Sequence, residues 1–303
     1  MVRVRLALLL SIAAAPLNAQ TAAPPPSSDE NVVVEGQRVK AEAMVRDTID
    51  GVGLLPLGRF EDKICPAVVG LAPAQADRLV QLLRTNIAAF GGGLQKPGCT
   101  ANATVIFTPQ PADFVRQLAV KQPSYFSLSP AGIKSFTEKP RPVLSWHVIE
   151  MRDRDGNELG NSRELGMAKA RILDQPAAAG APMSAKVLRN TGATHLATSS
   201  RADMLFGFAV IDAAKIQGKS MEQLADLATL HLLLEIKQDA AAGPSSILSL
   251  FNDRPEGAAP PPGFSSYDRA MIDGLYRPQE NNRTPSQQFS QIATAVRKAG
   301  NPE

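Results

Sequence analysis

The chain contains three histidines, His147, His195 and His231, so any general base or metal site that uses imidazole must draw on them. His231 is followed four residues later by Glu235 and preceded by Glu222 and Asp226. On a helix, i and i+4 spacing would let His231 and Glu235 share a cation or a proton. A zinc-peptidase helix carries H-E-x-x-H, two imidazoles with a general base between them. The stretch here reads His231-Leu232-Leu233-Leu234-Glu235, with neither the second imidazole nor the base. The competing reading is structural: His231 bonds a neighbour or caps the polar edge of its helix. His147 follows the single Trp146, and a lone imidazole on a strand is ordinarily a satisfied core or surface residue. His195 lies in GATHLATSS with Ser199, Ser200 and Asp203 nearby. Those are the residue types of a Ser-His-Asp site, without the elbow or the oxyanion-forming glycines that such a site needs.

Other common chemistries lack their motifs. There is no G-x-S-x-G, no G-x-x-x-x-G-K-[ST], no G-x-G-x-x-G after a strand and no C-x-x-C. Asp153-Arg154-Asp155-Gly156-Asn157-Glu158 resembles a calcium loop in composition, but it lacks a third oxygen ligand before the glycine and a closing bidentate Glu. A hairpin turn at Asp155-Gly156 accounts for it better. The sequence therefore calls for no metal and no cofactor.

The first residues give an address. Arg3 and Arg5 precede an apolar run from Leu6 to Ala15, then Pro16 and the small Ala19, the order of a secretory signal peptide over residues 1–19. The run is too short to span a bilayer, which takes about 20 helical residues, so no integral membrane segment is expected after cleavage. Removing Arg3 and Arg5 lowers the formal charge from +3 to +1, and no basic stripe suited to nucleic acid is present. Cys65 and Cys99 are the only cysteines. In a periplasmic or secreted protein such a pair is expected to form a disulfide.

The elements that must position these side chains follow from local signals. Residues 20–54 read as a Pro/Ser-rich linker leading into a short strand at Val32, Val33 and Val34. A main domain is expected over 55–277. Pro73 opens a helix in which Ala76, Leu79, Val80, Leu83, Ile87 and Phe90 recur at helical spacing and which stops at Gly91 to Gly93. Ala103 to Thr108 is a β-branched strand, followed by a helix from Pro111 to Val120 and a shorter one capped by Ser129. From Val143 to Met151, alternation places Leu144, Trp146 and Val148 on one face and Ser145, His147 and Ile149 on the other. Residues 157–202 read as a long excursion, and Met204 to Ile211 as an apolar strand. Ser220-Met221-Glu222-Gln223 is a capping box opening a largely buried helix whose apolar positions run from Leu224 to Ile236. A capped helix bears Met271, Ile272 and Leu275, and a tail over 278–303 carries one more helix, expected to dock loosely. Strands and helices interleave without a regular βαβ period, so the expected class is α+β with a small mixed or antiparallel sheet and packed helices.

Arg59 to Leu71, the Cys99 to Asn102 join, Gln223 to Leu233, Ser245 to Asp253 and Tyr267 to Tyr276 together resemble a family of exported alphaproteobacterial proteins, of sphingomonads especially, that has no assigned activity. Its domain is similar to a degenerate zinc-peptidase, or zincin-like, fold. The resemblance implies that Met204 to Ile211 is the strand leading into the ligand helix Ser220 to Lys237. It further implies that Asp268, Ile272, Leu275 and Tyr276 belong to a segment packed beneath that helix. Leu, Ala and Thr occupy the places where imidazoles would be required, so it carries over no catalytic residue. Separately, NVVVEGQR resembles the Val-rich segment behind the signal sequence of TonB-dependent outer-membrane receptors, where a free strand edge could add to a partner's sheet.

With no intact catalytic motif, the leading expectation is a non-catalytic periplasmic binding or envelope-assembly protein with an envelope protein as partner. The alternative is an atypical metal-dependent hydrolase built around His231, Glu235 and Glu222.

Overall fold

The computed structural model describes residues 28–53, 56–153, 155–157, 200–240, 243–277 and 283–300, with side chains from residue 36 onward. The signal-peptide reading, most of the 157–202 excursion, His195 and Ser199 fall outside these residues. Four strands form one mixed sheet: β1 (Pro66–Val69), β2 (Ala103–Thr108), β3 (Val143–Asp153) and β4 (Ser200–Asp212). They lie in the order β1-β2-β4-β3. β1 runs parallel to β2 and β2 parallel to β4, while β3 pairs antiparallel with β4. With its seven described α-helices the protein is α+β, as its interleaved pattern predicts.

The strands β2, β3 and β4 alternate between two cores because successive side chains point to opposite faces. Val105, Phe107, Ala209 and Ile211 face the larger core, whereas Ile106, Phe208, Val210, Leu144 and Trp146 face a smaller aromatic one. The smaller core is closed by α3 (Pro111–Lys121) and α4 (Pro130–Phe136), through Val115 and Ile133. The larger is closed by α2 (Pro73–Ala89), with Leu79, Leu83 and Ile87 inward, and by α5 (Met221–Leu233), of which ten of thirteen residues are buried. The helix α5 begins as its capping box requires: Ser220 Oγ accepts from Gln223 N at 3.1 Å and Gln223 Oε1 from Ser220 N at 2.9 Å. Behind it lie α1 (Ser28–Thr48), α6 (Ser266–Tyr276) and α7 (Pro285–Gly300).

Cys65 and Cys99 form the expected disulfide, with Cα atoms 6.1 Å apart across a separation of 34 residues. Closing a loop of that length stabilises by about 3–4 kcal/mol through the unfolded state. The bridge ties the start of β1 to the approach of β2, where Asn102 Oδ1 also accepts from Cys65 N at 2.7 Å.

Three expectations need correction. Val32 to Val34 belong to α1, not to a strand. Their β-branched preference is outweighed by the helix formers that follow and by tertiary packing, because Ala41, Val45 and Ile49 recur at i, i+4 and i+8 and are buried in the larger core. The stretch read as linker is thus partly core. The tail helix α7 is likewise firmly docked: Phe289, Ile292 and Val296 are buried against the same core, and Gly274 of α6 permits the close approach, since a Cβ there would lie 2.7 Å from Ile292 Cα. Finally, α5 ends at Leu233 instead of continuing to Lys237. Leu234 is extended (φ −126°, ψ 145°). The segment after it pairs with the end of α1, where Glu235 O accepts from Asp50 N at 2.7 Å and Thr48 O from Lys237 N at 2.9 Å.

Candidate functional site

The site that the histidines suggested lies where the last turn of α5 crosses β3 and β4. Gly207 of β4 makes this crossing possible, because a Cβ at that position would stand 3.2 Å from Leu232 O and 3.3 Å from His147 Cδ2. His231 points into the interface, 8% exposed, with Nδ1 2.8 Å from the Oγ of Ser145 on β3. Two residues along β3, His147 donates from Nε2 to Leu232 O at 3.0 Å, satisfying one of the carbonyls that a helix C-terminus leaves without an intrahelical partner. Gln238 Nε2 donates to Ser145 O at 3.2 Å. Burial, and secondarily the nearby His147, push the His231 pKa down to about 3, so the ring is neutral at physiological pH. Both partners of the Ser145–His231 pair are buried. The pair therefore satisfies polar groups inside a core, where an unpaired hydroxyl or imidazole would be costly.

The other two candidate residues are elsewhere. Because α5 stops before it, Glu235 does not lie one helical turn beyond His231. Its Oε1 accepts from Gly58 N at 2.8 Å, fixing the segment that precedes β1. The same segment is held by Arg59 Nη1, which donates to Leu275 O at 3.1 Å, and by Tyr276 Oη, which accepts from Phe60 N at 3.3 Å. Burial raises the Tyr276 pKa well above the ordinary phenol range. Glu222 sits in the first turn of α5, about 13 Å along the axis from His231 at 1.5 Å per residue. It is exposed and pairs with Arg78 at 3.1 Å. Its own backbone amide, and after it Arg78, holds its carboxyl below the usual range. Asp226 accepts from Asn86 Nδ2 and Phe264 N, both at 2.8 Å, and joins α2 and the approach to α6 to α5.

The Asp153 carboxylate is occupied by its own turn, accepting from Asp155 N, Asn157 N and Asn157 Nδ2 at 2.8–3.0 Å. Asp203 is nearly inaccessible and takes both oxygens to Arg201, with Arg152 at 3.8 Å. Desolvation pushes its pKa up despite these cations. Among the described residues no group of three or more His, Cys, Asp or Glu side chains is placed to share a metal ion.

Sequence reasoning missed Ser145 as the partner of His231 and Asp268 as a structural hub. The first left a signal, since Ser145 and His147 are polar residues at alternate positions of a strand otherwise apolar on that face. Asp268 is fully buried and accepts from Ser246 Oγ (2.6 Å), Ile247 N (2.9 Å), Ser265 N (2.8 Å) and Ser265 Oγ (2.8 Å). It thereby closes the loop between α5 and α6 as well as capping α6. Comparison of the chain with protein-family models, with curated proteins and with solved structures returns no match.

Proposed function

We propose that this is an exported, non-catalytic binding or envelope-assembly protein carried on a degenerate zinc-peptidase-like scaffold. One observation carries the reading: each candidate donor already has a partner within the protein, His231 in Ser145, Glu235 in the Gly58 amide and Glu222, at the surface, in Arg78. The scaffold half of the proposal is supported by the path of the chain, in which β4 leads into a buried helix lying across the sheet and α6 supplies Asp268, Ile272 and Leu275 to the same core. On that helix Leu227, Ala228 and Thr229 are each at most 1% exposed. The export half rests on the signal-like residues 1–19 and on the Cys65–Cys99 bridge, which suits an oxidising compartment. No described helix is long and apolar enough to cross a membrane.

Elemental analysis of purified protein, paired with His231→Ala, tests the proposal. The expected result is no stoichiometric zinc and a variant that differs from the parent only in stability. Zinc retained at one equivalent, lost in His231→Ala together with a peptidase activity, would overturn it in favour of the atypical hydrolase.

A further inference from the structure

A half-enclosed groove of about 220 Å³ lies between α1, α6 and α7, away from the His231 interface. Its apolar lining comes from Ala41 and Met44 of α1 and Val296 of α7, beside the ring of Tyr267 on α6. Two cations, Lys40 and Arg297, stand at the same groove, and no Asp or Glu is among its lining residues. Among the described residues neither cation makes an ion pair or a hydrogen bond. On α1, Arg38 pairs with Glu42 and Arg46 lies 4.0 Å over the Phe289 ring. Two uncompensated positive charges and a phenol around an apolar floor make a site of defined chemistry, in which an anion neutralises the rim while a short hydrocarbon is removed from water.

We propose that this groove binds a small amphiphilic anion, a single carboxylate or phosphate head on a short apolar tail. The volume sets the size. It falls below the roughly 300 Å³ at which pockets for drug-sized ligands begin, which excludes a diacyl lipid as the whole occupant. The inference is independent of the scaffold reading, and recovery of zinc at the other site would leave it standing.

Calorimetric titration of the full chain with hexanoate and with hexyl phosphate tests it, with 1-hexanol and hexylamine as controls. Saturable one-to-one binding of either anion is expected, at least tenfold tighter than the alcohol or the amine. Preference between the two anions identifies the head group. Affinity should rise from butanoate to hexanoate and gain nothing further at decanoate, since the groove is then full. Arg297→Gln and Lys40→Gln should each weaken hexanoate binding by about tenfold, as loss of a charge-assisted contact does, with the melting midpoint unchanged. Lys40 is exposed, so its variant remains informative should Arg297→Gln prove unstable. Absence of saturable binding, equal affinity for hexylamine or hexanol, or unaltered affinity in Lys40→Gln would overturn the proposal.

Discussion

The two faces of the sheet draw on the same strand and use rings in opposite ways. On one face Trp146 stacks between Phe126 and Phe208, with centroids at 4.7 and 4.9 Å, and meets the edge of Phe136 at 6.2 Å. Its one polar atom, Nε1, donates to Tyr125 O at 2.8 Å. On the other face the neighbouring positions Ser145 and His147 carry hydrogen bonds to α5. The aromatic face is held by area and ring stacking, which tolerate small shifts of position. The α5 face adds to a larger apolar core a few directional bonds, from Ser145 and His147 to the last turn of the helix. The histidine whose neighbours most resembled a chemical site is buried and bonded to Ser145.

The largest effect expected from disturbing this contrast is on the aromatic side. Trp146→Ala should cost about 3–5 kcal/mol, measured by denaturant unfolding, through lost area and the cavity left behind. Trp146→Phe should cost less, because a ring remains between Phe126 and Phe208 while the bond to Tyr125 O and part of the ring volume are lost. A comparable loss for both would mean that the bond, and not the stack, carries this face.

On the opposite face, Gly207→Ala should cost about 1–3 kcal/mol, because the new methyl presses on Leu232 O and the His147 ring. Its nuclear magnetic resonance signature should centre on β4 at the substitution, the α5 terminus, His147 and Phe60, with Phe126 and Phe136 unmoved.

Acid provides a third separation. His231 has a folded pKa near 3 against about 6.5 when unfolded, so its contribution is complete above pH 6.5 and is lost as the pH falls from there toward 3. At pH 5 the loss is about 2 kcal/mol. Asp203 and Asp226 have pKa values raised by burial and act in the opposite sense, so the comparison must be made against His231→Asn, which can keep the bond to Ser145 without titrating in this range. The difference between parent and variant from pH 7 to 5 isolates the imidazole; parallel curves would show that His231 is accessible to protons in the folded protein.

The smallest effect belongs to Glu222. Its pair with Arg78 is exposed on both sides, and Glu222→Gln should change stability by less than about 0.5 kcal/mol. It should leave the His231 resonances unchanged, as expected of residues at opposite ends of α5.

Much of this was legible in the residues. The helix from Pro73, the strand Ala103 to Thr108, the capping box at Ser220 and the division of β3 into two faces follow from signals contained within a few residues: a proline at a first turn, a hydroxyl three residues before an amide, an alternation of two. The candidate site was legible only as a set of residue types. Reading His231 and Glu235 as a pair assumed that the helix continued, and nothing between Leu232 and Lys237 announces a stop, since Leu233 and Leu234 favour helix on propensity.

The sequence by itself determined the class of the fold, the pairing of its two cysteines and the starts of the helices from α2 onward, because those depend on local sterics and on there being a single partner; α1, read as linker and strand, is defined by its packing on the larger core. Only the tertiary structure decided where α5 ends and what His231 bonds. The end of α1, nearly two hundred residues earlier in the chain, supplies the donor at Asp50 and the acceptor at Thr48 that draw residues 235–237 out of the helix. Ser145, eighty-six residues away, takes the imidazole. Hydrogen bonds between distant segments leave no periodic trace in the chain, and here they set the end of α5 and the partner of His231.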